Sequence, residues 1–218
     1  MRRTINSVRR SEIGAEKRSR TLVILLGAAL ELFGREDGRL TRIEDVCAAA
    51  HVSRGTFYNY FPGMDALITA LSNHISEDFD SAVHAAIDVL PTFAERTCLA
   101  IRNYLRRAVE DPQWGWAMVN TSLGRPMHGE TIFRRVRETI QGGIDSGEFT
   151  LDSADVGRDL VLGTGLAAML TLLQGRAAEH YSQAVAYRIL LALGVVPAIA
   201  TDLVNRPLTA LSMPAANT

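Results

Sequence analysis

The chain of 218 residues is poor in cysteine (two), proline (seven) and aromatic residues (6%), and it has no long apolar run. Each scarcity excludes something. Cys47 and Cys98 are too few for a disulfide framework and have no zinc-finger spacing, so both read as reduced core thiols. The longest apolar run, residues 22–30, is too short to cross a bilayer core of ~30 Å. The start is basic, but Glu12 and Glu16 interrupt it, and no small-residue cleavage pattern follows. The expectation is a cytoplasmic protein without a membrane partner. Sustained apolar/polar alternation, the mark of half-buried strands, is also missing. The fold class expected is all-α.

Net charge is close to zero, but its distribution is uneven. Through Pro62 the chain holds 11 Lys/Arg against 7 Asp/Glu, and the remainder holds 12 against 17. A basic front and an acidic back point the first third at a polyanion.

What is present is helical periodicity cut by proline and glycine. Leu22, Leu25, Leu26, Ala29 and Phe33 predict a helix over 16–33, ended by Gly34 and Asp37-Gly38. Thr41-Arg-Ile-Glu44 has the form of a capping box before a short helix to about residue 50. Ser53 reads as a second N-cap, and Pro62 limits the helix after it to barely two turns. Leu67, Leu71, Ile75, Phe79, Val83 and Ile87 step by four and predict one helix over 63–90, about 40 Å long. Further helices are expected to about residue 110 after Pro91, then over 130–140, 153–176 and 180–193. A short aromatic segment around Trp114 and Trp116 and a Gly-rich turn over 142–147 separate them. The domains expected are a basic flexible arm (1–15), a three-helix DNA-binding domain (16–63, helix-turn-helix about 41–60), a helical bundle (64–206) and a flexible tail (207–218).

Residues 51–62, HVSRGTFYNYFP, crowd four rings beside an arginine, a glycine and a proline. That is too aromatic for a solvated loop and too broken for a long core helix. Two capped short helices with a tight turn make a helix-turn-helix, whose second helix lies in the DNA major groove. Its first residues are Ser53, Arg54, Gly55 and Thr56. Arginine can grip guanine O6 and N7 together, and threonine can bond a base edge or touch a thymine methyl. Tyr58 and Tyr60 end in hydroxyls suited to phosphate, while Phe57 and Phe61 read as core anchors.

The run from Thr41 to Phe61, TRIEDVCAAAHVSRGTFYNYF, resembles the DNA-binding signature of the tetracycline-repressor (TetR) family. The resemblance covers residues 18–71; the rest agrees in helix count and length only. It implies that Thr41, Arg42, Arg54, Gly55, Thr56, Tyr58 and Tyr60 touch DNA, with Ser53 and Asn59 beside them. Two positions depart from it. His51 stands at a turn position often held by glycine, and Met64 replaces a lysine that often meets a phosphate. The basic arm, with Arg2, Arg3, Arg9 and Arg10, is a candidate to compensate.

The resemblance further implies a homodimer on double-stranded DNA with a palindromic operator, responding to a small-molecule effector, with repression the default and activation the alternative. Leu160, Gly163, Thr164 and Ala167 on the penultimate helix are candidates for a four-helix dimer interface with Tyr181, Val185, Arg188, Ile189 and Ala192 on the last. Tyr104, Trp114, Trp116, Met118, Met127, Phe133 and Met169 are candidates for an effector pocket. With no obvious charged cluster in the sequence, an apolar or aromatic effector is expected.

Rival chemistries fare worse. Gly163-Thr-Gly165-Leu-Ala-Ala168 has the form of a dinucleotide fingerprint but lacks the strand before it and the acidic residue about 20 positions on. His74 and Asp78 stand at i, i+4 with no third metal ligand in view. No nucleophilic triad assembles, so neither enzyme, metal nor cofactor is expected. A helical small-molecule-binding protein without DNA affinity is the remaining alternative.

Overall fold

The computed structural model describes residues 2–122, 129–208 and 211, with side chains over 16–122, 131–208 and 211. Among these the chain forms α1 (Arg2–Phe33), α2 (Ile43–Ala49), α3 (Arg54–Tyr58), α4 (Met64–Asp88) and α5 (Phe93–Glu110). It continues through α6 (Pro112–Ser122), α7 (Gly129–Asp145), α8 (Ala154–Leu173), α9 (Tyr181–Ala192) and α10 (Pro197–Asn205), with one 3-10 turn at Gly38–Leu40. The fold is all-α, as expected.

Four elements differ from the sequence reading, each for a physical reason. The backbone of residues 2–15, expected as an arm, continues α1; it has no proline and a single glycine, Gly14. The aromatic segment around Trp114 is a full helix, α6. Pro112 stands at its first position, where a missing N–H costs nothing, and Asp111 Oδ1 accepts from Trp114 N at 3.0 Å. α7 runs through Gly142 and Gly143, because these glycines admit the rings of Phe93 and Phe149 where a Cβ would clash. The turn comes later, at Gly147 with φ 75°. α10 begins on Pro197 and lies in a stretch to which the sequence reading assigned no element.

Among the described residues, two buried clusters organise the chain. In the head, Leu25, Ala29 and Phe33 of α1 meet Val46, Phe57, Phe61 and the α4 residues Leu67 and Leu71. In the bundle, Phe79, Val83 and Ile87 of the same α4 meet α5 to α10. α4 is therefore shared between the two. α6 is the second link: Ala117 joins the head cluster, while Trp114 and Met118 join the bundle. Asn120 Nδ2 also donates to the carbonyls of Phe33 (2.9 Å) and Arg35 (2.7 Å), satisfying acceptors left open at the end of α1. α8 is long and apolar enough to cross a membrane by length and composition; here Val161, Leu162, Leu166, Ala168 and Met169 of that helix are buried in the bundle.

Candidate functional site

In the head, the start of α2 is shifted by one residue from the expected capping box. Thr41 closes the 3-10 turn, its amide donating to Gly38 O at 3.1 Å, and Arg42 becomes the N-cap. Asp45 Oδ2 then accepts from Arg42 N at 2.8 Å, which is half of a capping box. Glu44 is freed by this shift. Its Oε1 lies 2.9 Å from Arg54 Nη1, on the next helix.

The turn from α2 to α3 is a Schellman motif. Val52 N donates to Cys47 O (3.0 Å) and His51 N to Ala48 O (3.2 Å), with His51 left-handed at φ 52°. Ser53 caps α3 as expected, its Oγ accepting from Thr56 N at 3.0 Å. Phe57 is 0% exposed and anchors the five-residue helix, its ring 5.5 Å from Tyr58 and 5.8 Å from Phe61. Outside remain Arg42, Ser53, Arg54, Gly55, Tyr58 and Asn59, with Thr41, Thr56 and Tyr60 half-buried beside them. Gly55 has a negative φ, and a Cβ added there would approach nothing closer than Ser53 Oγ at 3.7 Å. The fold itself does not require that glycine.

In the bundle, α4, α5, α7 and α8 line a cavity of about 90 Å³. Val83, Ile87, Ile101, Leu105, Val136 and Met169 supply apolar wall. Into this wall is set a charged group. The Arg135 guanidinium pairs with Asp80, and Tyr104 OH donates to Asp80 Oδ1 at 3.2 Å. Burial, and then the Asp80 carboxylate, hold the Tyr104 phenol well above its ordinary pKa, so it stays a neutral donor. Thr97 also lines the cavity.

Of the pocket residues expected from sequence, Tyr104 and Met169 line this cavity. Trp114 packs on the Tyr104 and Phe79 rings and donates its indole N–H to Ile75 O at 2.8 Å, outside the lining. Met118 is core, Phe133 lies under the Arg158 guanidinium at 3.7 Å, and Trp116 is not part of the wall. Met127 lies outside the described residues. The charged cluster not obvious in the sequence is present in this wall, as Asp80 and Arg135. On α8 and α9, Thr164, Ala167, Arg188 and Ala192 are exposed, and Leu160, Gly163, Tyr181 and Val185 are half-buried. Ile189 is 1% exposed because α9 turns it, with Ala186 and Leu190, into its own bundle core, so it is withdrawn from the candidate interface.

Residues 25–71 match the family described as "Bacterial regulatory proteins, tetR family", and residues 92–206 match "Tetracyclin repressor-like, C-terminal domain". The chain belongs to the TetR family. Among curated relatives, an uncharacterized HTH-type transcriptional regulator of Mycobacterium tuberculosis H37Rv is 29% identical over 128 residues. That match covers 59% of this chain, and the chain spans 59% of the relative's length. Among solved structures, RolR in complex with the ligand resorcinol superposes with a TM-score of 0.73 at 26% identity, covering 91% of this chain and 100% of that one. The transcriptional regulator FadR of Bacillus subtilis, in complex with stearoyl-CoA, shares the fold: TM-score 0.58, 17% identity, 78% of this chain and 96% of that one.

Proposed function

We propose that this TetR-family chain is a homodimeric, DNA-binding transcriptional repressor. It holds a palindromic operator and leaves it when a small hydroxylated aromatic molecule enters the α4/α5/α7/α8 cavity. α4 carries this reading. One uninterrupted helix has Leu67 in the head core and Asp80 in the cavity wall, so a ligand that moves Asp80 also moves the base of the head.

At the head, Arg54, Gly55 and Thr56 read base edges at the exposed tip of α3, and Gly55 lets the duplex approach the backbone. Arg42, Tyr58, Asn59 and Tyr60 set register on phosphates, with Thr41 and Ser53 near the helix N-termini. The free faces of α8 and α9 pair with a second copy, which fixes the spacing of the two α3 helices to that of two half-sites. In the cavity, each Asp80 oxygen already accepts one hydrogen bond and keeps a lone pair for a ligand hydroxyl. The resorcinol bound by RolR has the size and functional groups that such a wall accepts.

The test is binding to the DNA upstream of the protein's own gene. Affinity should fall steeply with salt as counterions are released, and resorcinol should release the complex. Arg54→Ala should lower discrimination at one base pair of each half-site by about 1–3 kcal/mol. Its melting temperature should not move, because the Arg54 side chain is 60% exposed. No binding at low salt, or base preference unchanged in Arg54→Ala, would overturn the assignment.

A further inference from the structure

Thr97 is the one polar group of the cavity wall that the described residues leave unanswered. It is 5% exposed, and its Oγ1 has no hydrogen-bond partner. A helical threonine commonly returns its hydroxyl to the carbonyl four residues back, as Thr139 does to Arg135 (3.0 Å) and Thr121 to Ala117 (2.7 Å). Thr97 does not. A buried hydroxyl without a partner is costly unless something arrives to meet it.

Its position says where the arriving group sits. Thr97 and Tyr104 are seven residues apart on α5, two turns along one face, so their backbones are offset by about 10 Å. α4 runs antiparallel beside them: Asp80 meets Tyr104, whereas Leu90 O accepts from Arg96 Nε at 3.0 Å. α7 does the same, with Arg135 at Asp80 and Glu148, just beyond its end, at the amide of Ala94. The charged group therefore closes one end of the cavity and Thr97 stands at the other, with Val83, Ala100, Ile101 and Val136 among the residues between. The basic side chains near the Thr97 end are engaged elsewhere. Arg96 is turned to backbone carbonyls and lies 4.9 Å over the Phe93 ring, and His84 faces Asp88 at 3.7 Å.

We infer that the cavity takes a neutral single ring carrying two hydrogen-bonding groups, one met by Tyr104, Asp80 and Arg135 and the other by Thr97. This rests on the cavity being the effector site. The ~10 Å backbone offset, less the reach of the side chains and their hydrogen bonds to the ligand, leaves room for about one six-membered ring. Thr97 is then the residue that selects for the second substituent, since a site built to bond a hydroxyl rejects the analogue lacking it.

The experiment titrates phenol, resorcinol and hydroquinone into the full-length wild type, Thr97→Val and Tyr104→Phe, by calorimetry. The wild type should bind the better of the two diols roughly tenfold more tightly than phenol. Thr97→Val, close to isosteric, should keep phenol affinity and reduce the diol advantage to within about twofold, while melting no lower than wild type without ligand. Tyr104→Phe, at the other end, should weaken all three probes. If the diol advantage survives Thr97→Val, or if phenol and diols weaken together in it, the inference is overturned and the effector reading stands. If the wild type binds none of the probes, both fall.

Discussion

The head and the bundle keep the residues proposed to act in opposite places. The head buries Phe57, Val46 and Leu67 and leaves Arg54, Gly55 and Tyr58 outside with little packing to do. The bundle buries Asp80, Thr97 and Leu105 together, so the groups that would meet a ligand are part of the wall that holds the domain up. The difference teaches which mutations can separate function from stability. An exposed reading surface can lose a side chain without structural cost. A cavity wall, the unpartnered Thr97 hydroxyl excepted, cannot, because the interior is close-packed and its other polar groups answer one another.

The sharpest attempt to break the comparison is Phe57→Ala. Removing a fully buried ring from a five-residue helix should cost about 3–5 kcal/mol. DNA binding, read by fluorescence anisotropy, should vanish, while calorimetric titration of the bundle with resorcinol should persist. Loss of both signals together would mean that α4 and α6 fuse the two cores into one cooperative unit, and the contrast would be wrong.

Asp80→Ala comes next. It leaves the Arg135 guanidinium without its carboxylate and Tyr104 without its acceptor. A fully buried pair broken on one side costs about 3–5 kcal/mol; with the Arg135 side chain still 26% exposed, about 2–3 kcal/mol is expected. Urea denaturation measures that loss, and the stabilisation by resorcinol should disappear in the same variant. A variant that keeps full stability but loses the ligand response would show that function and stability separate in the bundle as they do in the head.

The same contrast explains what could be read from the sequence. The head is local: two caps, a tight turn and a Phe57/Phe61 anchor fall within residues 41–61, where spacing along the chain reports spacing in space. Even the capping-box error was a slip of one residue, with Asp45 in place of Glu44. The cavity is not local. Asp80 and Arg135 are 55 positions apart, and each sits on a helix that reads as ordinarily amphipathic. A signal was nevertheless present. Asp80 precedes Val83 and Ile87 at i+3 and i+7, so a carboxylate occupies the core-facing stripe of α4, where an unpaired charge would be intolerable. Large apolar residues are the weaker guide: Trp114 and Met118 lie in the core, and size alone marks core. The end of α7 is illegible in the sequence for a related reason, since Gly142 and Gly143 admit two phenyl rings instead of making the turn.

The smallest expected effect sharpens the comparison from the head's side. His51 holds a left-handed φ of 52° in the Schellman turn, and its side chain is exposed. A left-handed residue with a Cβ carries about 1–2 kcal/mol of strain, and glycine removes it. Glycine also gives the unfolded chain more freedom, which takes back about 0.5–1 kcal/mol. His51→Gly should therefore stabilise the protein by about 0.5–1 kcal/mol, a rise in melting temperature of roughly 1–4 °C for a chain of this size. Operator affinity should stay the same, because the hydrogen bonds of the turn come from the backbone amides of His51 and Val52 and survive the change. A gain in stability accompanied by weaker binding would mean that the imidazole itself meets DNA, and the reading surface would then begin in the turn, ahead of Ser53.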